Sequence, residues 1–118
     1  MAHRRARLLV GGGTTLAVAA LADRPWTGML GLLGRSRFEP GDGLVLEPCD
    51  TIHTWFMRFP IDVLFVDREG LVVRAVETLA PFRFASGPPG ARMTIELPAG
   101  TLRRAGVDRG ARVRMEPV

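Results

Sequence analysis

Cysteine, histidine, arginine and aspartate share one short stretch of this sequence, "CDTIHTWFMRFPIDVLFVD", residues 49–67. It holds the only cysteine, Cys49, and, four positions on, one of the two histidines, His53. A histidine that draws the proton from a thiol leaves a thiolate, the nucleophile of hydrolytic or thiol-transfer chemistry. Along extended chain the two positions lie ~13 Å apart, so such a pair needs a sharp turn through Asp50 and Thr51. The competing reading makes Cys49 a small buried hydrophobe and His53 a loop anchor. The burial habit of free cysteine favours this second reading; Cys49 and His53 remain the catalytic candidates of an enzyme alternative. No metal site is expected. Zinc takes three or four protein ligands, and beyond Cys49 and His53 only His3, Asp50 or Asp62 remain, without the paired spacing of known sites. No cofactor is expected either.

Arg58 and Asp62 bracket Phe59-Pro60-Ile61. Pro60 holds Phe59 away from helical geometry and sets the angle at which the chain enters a strand over residues 61–66. Asp62 then shares a strand face with Leu64 and Val66, while Ile61, Val63 and Phe65 take the other. Both faces are apolar, which predicts a central strand covered on each side. A carboxylate buried there must be paired or hydrogen-bonded, and the nearest donors in sequence are His53, Thr54 and Arg58. The expectation is a polar corner in which His53, Thr54, Trp55, Arg58 and Asp62 form a binding set. A structural clamp that fixes the bend predicts the same pairing. Trp55, Phe56, Met57 and Phe59 suit either a partner anchor or core packing, and alternation sends Trp55, Met57 and Phe59 to one side.

The elements that position these residues follow from apolar runs punctuated by glycine and proline. Strands are expected over residues 7–10 and 14–21 around Gly11-Gly12-Gly13, and over 44–46 and 71–79, with a tight turn at 67–70. A short amphipathic helix is expected from Pro25 to its cap at Gly34, carrying Trp26, Met29, Leu30, Leu32 and Leu33. Residues 81–91 are too rich in proline and glycine for regular structure. A strand ending at Pro98, one or two helical turns from Thr101 to the Gly106 cap, a turn at Gly110 and a final strand complete the chain. The predicted fold class is mainly β (α+β), a compact, mostly antiparallel barrel-like sheet with one or two short helices.

A chain of 118 residues makes one domain, here 1–118 with a flexible basic N-terminus at 1–7. An apolar fraction of 47% argues against disorder. One cysteine cannot close an intramolecular disulfide, so no oxidising compartment is required. All sixteen basic residues are arginine, for a net charge of +4. The densest group, Arg103, Arg104, Arg109, Arg112 and Arg114, carries a nucleic-acid alternative through phosphate contacts. No apolar window is long enough for a membrane-spanning helix. The chain is expected to be cytoplasmic, with export as the alternative if residues 4–22 act as a signal peptide. Arg4, Arg5 and Arg7 followed by an apolar run invite that reading, but the glycine triplet and two threonines interrupt it.

Taken in order, "GLLGR", "GDGLVLEPC", "IHTWFMRFPIDVLFVDREG", "LAP" and "ELPAG" resemble the domain-of-unknown-function 192 (DUF192) family, also catalogued as uncharacterised protein family 0127. The signature falls on Cys49, Ile52, His53, Thr54, Met57, Arg58, Phe59, Pro60, Ile61 and Asp62. The resemblance covers roughly residues 16 to 115 and implies a small, mostly β domain of bacteria and archaea with no established activity. The chain departs from the family pattern in three places. Trp55-Phe56 stands where phenylalanine-glycine is usual, so Phe56 is expected to fill part of any cleft the glycine opens. Gly110-Ala111 replaces a glycine-aspartate turn, and Gly28 an arginine. The reading carried forward is a non-catalytic module that binds a small molecule or a partner protein through residues 49–62.

Overall fold

The computed structural model describes residues 4–22 and 38–118. The helix expected over residues 25–34, with Gly28, lies outside them, as does His3. Among the described residues the elements are β1 (Arg5–Val10), β2 (Thr14–Ala22), β3 (Asp42–Leu46), β4 (Thr51–His53), β5 (Ile61–Asp67), β6 (Val72–Leu79), β7 (Phe84–Ser86), β8 (Ala91–Pro98), α1 (Thr101–Ala105) and β9 (Val113–Pro117). Seven strands make one sheet in the order β6-β5-β8-β3-β2-β1-β9. Every neighbouring pair is antiparallel except β2 with β3. The two ends of that order curl toward each other. Leu71 bridges Arg112, and the Val72 N–H donates to the Ala111 carbonyl at 2.8 Å. The sheet is therefore a half-barrel, mainly β as expected.

Strand alternation builds two cores, one on each face. The first gathers Leu8, Val10, Leu64, Val66, Ile95 and Leu97 under Leu102 of α1. The second gathers Leu44, Leu46, Cys49, Ile52, Met57, Ile61, Val63, Phe65 and Ala85. Strand β5 supplies both, and its first six residues are buried. It is the doubly covered central strand that its unbroken apolar run predicts.

β1 begins earlier than residue 7. Ala6 faces Ala19 of β2 on one side and Pro117 of β9 on the other, so Arg5 and Ala6 join the ladder instead of the expected free terminus. A second correction concerns residues 81–91, expected as loop throughout. Pro81, Pro88 and Pro89 leave a window in which Phe84–Ser86 pairs with Thr51–His53 as a small sheet, Ile52 opposite Ala85. Gly87 permits it to sit close: a β-carbon there would lie 2.6 Å from that of Ala91 and 3.0 Å from that of Phe65. The turn at 67–70 forms as expected. The Asp67 carboxylate accepts the N–H groups of Glu69 and Leu71 at 2.8 and 2.9 Å, and Gly70 takes φ +88°.

Candidate functional site

Cys49, His53 and Asp62 do not meet. The Cys49 thiol is buried in the second core and donates to the Thr51 carbonyl at 3.3 Å. Its backbone N–H donates to Arg92 O, and its carbonyl accepts the Thr94 hydroxyl, both at 2.9 Å. With Pro48, Asp50, Arg68 and Arg92 it borders a shallow depression of about 390 Å³ that His53 does not line. The His53 Nδ1 accepts the Trp55 N–H at 3.2 Å. Each side chain is thus engaged with main chain two residues further on, in a different place.

Asp62 is fully buried and turned to the first face, with Leu64 and Val66, so the sheet separates it from Cys49 and Met57. None of the three expected donors reaches it. Oδ1 accepts the Thr78 N–H at 2.8 Å; Oδ2 accepts those of Gly100 and Leu102 at 3.1 and 2.9 Å. The local backbone explains the choice. Ile61 faces Leu79 and Val63 faces Val76, so β6 carries one residue more than β5 across that span, and Thr78 sits at φ +52°. A bulge of this kind takes an amide out of the ladder, and Asp62 gives it an acceptor. Gly100, which precedes α1, has no side chain with which to cap it; Asp62 supplies that cap from across the fold. Sequence proximity was the wrong guide to these partners.

The remaining predicted residues converge on one tip. Thr54 is fully buried and fastens residues 53–59 to residues 80–84. Its hydroxyl donates to Ala80 O at 2.7 Å and accepts the Arg83 N–H at 2.8 Å. Its own N–H donates to Arg83 O at 2.8 Å, and its carbonyl accepts the Phe82 N–H at 2.9 Å. On this staple sit four exposed aromatic side chains: Trp55 at 43%, Phe56 at 70%, Phe82 at 50% and Phe84 at 64%. Phe56 meets Phe82 edge-on at 5.6 Å between ring centres, Trp55 meets Phe82 at 6.4 Å, and the His53 ring lies against Trp55 at 5.7 Å. Met57 alone of the Trp-Phe-Met run is buried in the core. Alternation does not send Trp55 with it, because residues 54–60 turn and no strand forms there.

Phe56 and Phe82 both hold left-handed backbone, at φ +64° and +62°. That conformation suits glycine, the residue the family resemblance puts at position 56, and is costly for a bulky side chain. Phe56 projects outward and fills no cleft. Arg58 and Arg83 are exposed; Arg58 follows Met57 in the chain, and the Arg83 guanidinium donates to Phe82 O at 3.2 Å. Phe82 and Phe84 were not anticipated as site residues. Aromatics inside a proline- and glycine-rich loop were the available signal, since such a loop has no core to bury them in.

Glu96 was not anticipated either. It lies on the second face of β8 between Val63 and Leu44, and burial pushes its carboxyl up to about 8. Arg92, Thr94 and Glu96 alternate like an exposed strand face, yet Thr94 and Glu96 are buried. Among the described residues, no three of His, Cys, Asp and Glu gather as metal ligands.

With this geometry in hand, comparison with known proteins adds the following. The family model DUF192, described as an uncharacterized ACR, matches residues 8–115. The crystal structure of a Sinorhizobium meliloti 1021 protein, described as a candidate transcription regulator, is similar at 26% identity and a TM-score of 0.82, covering 97% of this chain and 94% of that one. A protein of unknown function from Novosphingobium aromaticivorans is similar at 19% identity and a TM-score of 0.80, covering 93% and 84%. The second likeness speaks for the fold alone. No curated protein matches the chain.

Proposed function

The chain belongs to the DUF192 family, and from that premise we propose that it is a non-catalytic binding module whose site is the aromatic tip. One observation carries the reading: exposed Trp55, Phe56 and Phe82 stand in ring contact on two segments stapled by a buried threonine, with exposed Phe84 paired opposite His53. A contiguous apolar patch of this kind on a small domain marks a recognition surface. Holding two phenylalanines in left-handed backbone costs on the order of 1–2 kcal/mol each, a cost that packing does not repay for exposed rings. In this site His53 and Trp55 touch the ligand, Thr54 sets the loops, and Arg58 flanks them. Asp62 acts at a distance, by fixing Thr78 at the foot of the 80–84 loop. We place the protein in a bacterial cytoplasm, where a lone thiol needs no partner.

Amide chemical-shift mapping with a library of aromatic fragments and short peptides tests the proposal. The largest shifts are expected at residues 53–57 and 80–84, and they should vanish in the Phe56→Ser/Phe82→Ser variant while its melting temperature holds. Shifts gathered instead around the Cys49 depression, with rapid iodoacetamide labelling of the native thiol, would favour the thiol-enzyme reading.

A nucleic-acid reading draws on the description of the Sinorhizobium relative and on Arg103, Arg104, Arg109, Arg112 and Arg114. Against it, Arg103 lies 3.6 Å from Glu77, the Arg112 guanidinium donates to Glu69 O at 2.8 Å, and α1 has five residues. A helix of that length spans under two turns, too little to read a groove.

A further inference from the structure

We propose that the aromatic tip docks on the surface of a bilayer rich in anionic phospholipid, rings in the interfacial layer and Arg58 and Arg83 against headgroup phosphates. This rests on the tip being the binding site and names its occupant. Three independent features select a membrane over other partners.

The first is charge. Residues 51–61 and 78–91 contain no aspartate or glutamate, while Arg58 and Arg83 lie within them. A protein partner usually meets a polar rim of both signs; a rim of arginine alone complements an anionic sheet. The second is ring geometry. Phe56 and Phe82 pack edge to face at an interplanar angle of 71°, and His53 and Trp55 at 68°. Rings so engaged make one apolar knob rather than the open faces on which bases stack. The third is the backbone. Thr54, Trp55, Met57, Phe82 and Arg83 all donate their N–H groups within the protein, and Pro81 has none to donate. Main chain with most of its donors engaged within the protein loses little on entering an interfacial layer, whereas each unpaired group taken out of water costs several kcal/mol. Exposed tryptophan and phenylalanine beside arginine is the composition that partitions to that layer. The attachment is peripheral, since no helix among the described residues is long and apolar enough to cross.

The test is co-sedimentation of the full chain with phosphatidylcholine vesicles, with and without about one-third phosphatidylserine, at low and high salt. Trp55 fluorescence in a Trp26→Phe background reports insertion. Binding to the anionic vesicles with a blue-shifted Trp55 is expected, weakened by salt. Phe56→Ser/Phe82→Ser should lower the partition coefficient by more than about tenfold, and Arg58→Ser and Arg83→Ser by about fivefold each. All four positions are exposed, so unchanged unfolding midpoints confirm that the variants are folded. No partition at low salt, equal partition to neutral vesicles, or an unaffected Phe56→Ser/Phe82→Ser variant overturns the lipid assignment. So does an oligothymidylate that quenches Trp55 and displaces the vesicles. If vesicles fail while amide mapping still finds fragments on residues 53–57 and 80–84, the lipid falls and the binding site stands. If both fail, the site falls with it.

Discussion

At the scale of the residue, burial decides what a polar group can do. Glu96 ionises in the unfolded chain near its ordinary value of 4.5 but stays protonated in the folded state up to about 8. The folded state therefore holds the extra proton between those values, and stability falls as pH rises through that window, on the order of 1 kcal/mol per unit. Below 4.5 both states are protonated; above 8 the loss is complete. Glu96→Gln removes the titration, so its advantage over wild type in urea unfolding should grow from pH 5 to pH 8; a constant difference would refute this. The sequence made Asp62 legible as a buried carboxylate that needs donors, because its neighbours on both strand faces are apolar. It could not name those donors. They are main-chain amides 16, 38 and 40 positions away, and amides carry no residue signature.

At the scale of the element, the long apolar strands were readable and the short ones were not. β5 announces itself by a nearly unbroken apolar run, β8 by alternation that ends at Pro98, and the Asp67 turn by its glycine. β4 and β7 have three residues each, too few to show a period, and proline masks one of them. Yet this pair carries the stapled loops. Gly87 sets how closely β7 approaches Phe65, and its N–H donates to Asp50 O at 2.7 Å. Gly87→Ala would put a methyl group against Ala91 and Phe65. We expect a loss of roughly 1–3 kcal/mol from overpacking, seen as a lower thermal midpoint, with faster hydrogen exchange at Ile52 and Ala85. A neutral effect would mean the small sheet can shift outward without penalty.

At the scale of the whole molecule, the half-barrel is held by bonds between distant parts, so separate regions should lose structure together. Asp62 links the β6 bulge, the central strand and the start of α1 through one side chain. Replacing it with alanine leaves three partly or wholly buried donors without an acceptor. The expected cost is roughly 3 kcal/mol in urea unfolding, and an unchanged midpoint would show that water substitutes for the carboxylate. In the intact protein the same linkage makes Thr78, Gly100 and Leu102 partners in protection: their amide hydrogens should escape to deuterated solvent with one shared opening energy, although one belongs to a strand bulge and the others begin a helix.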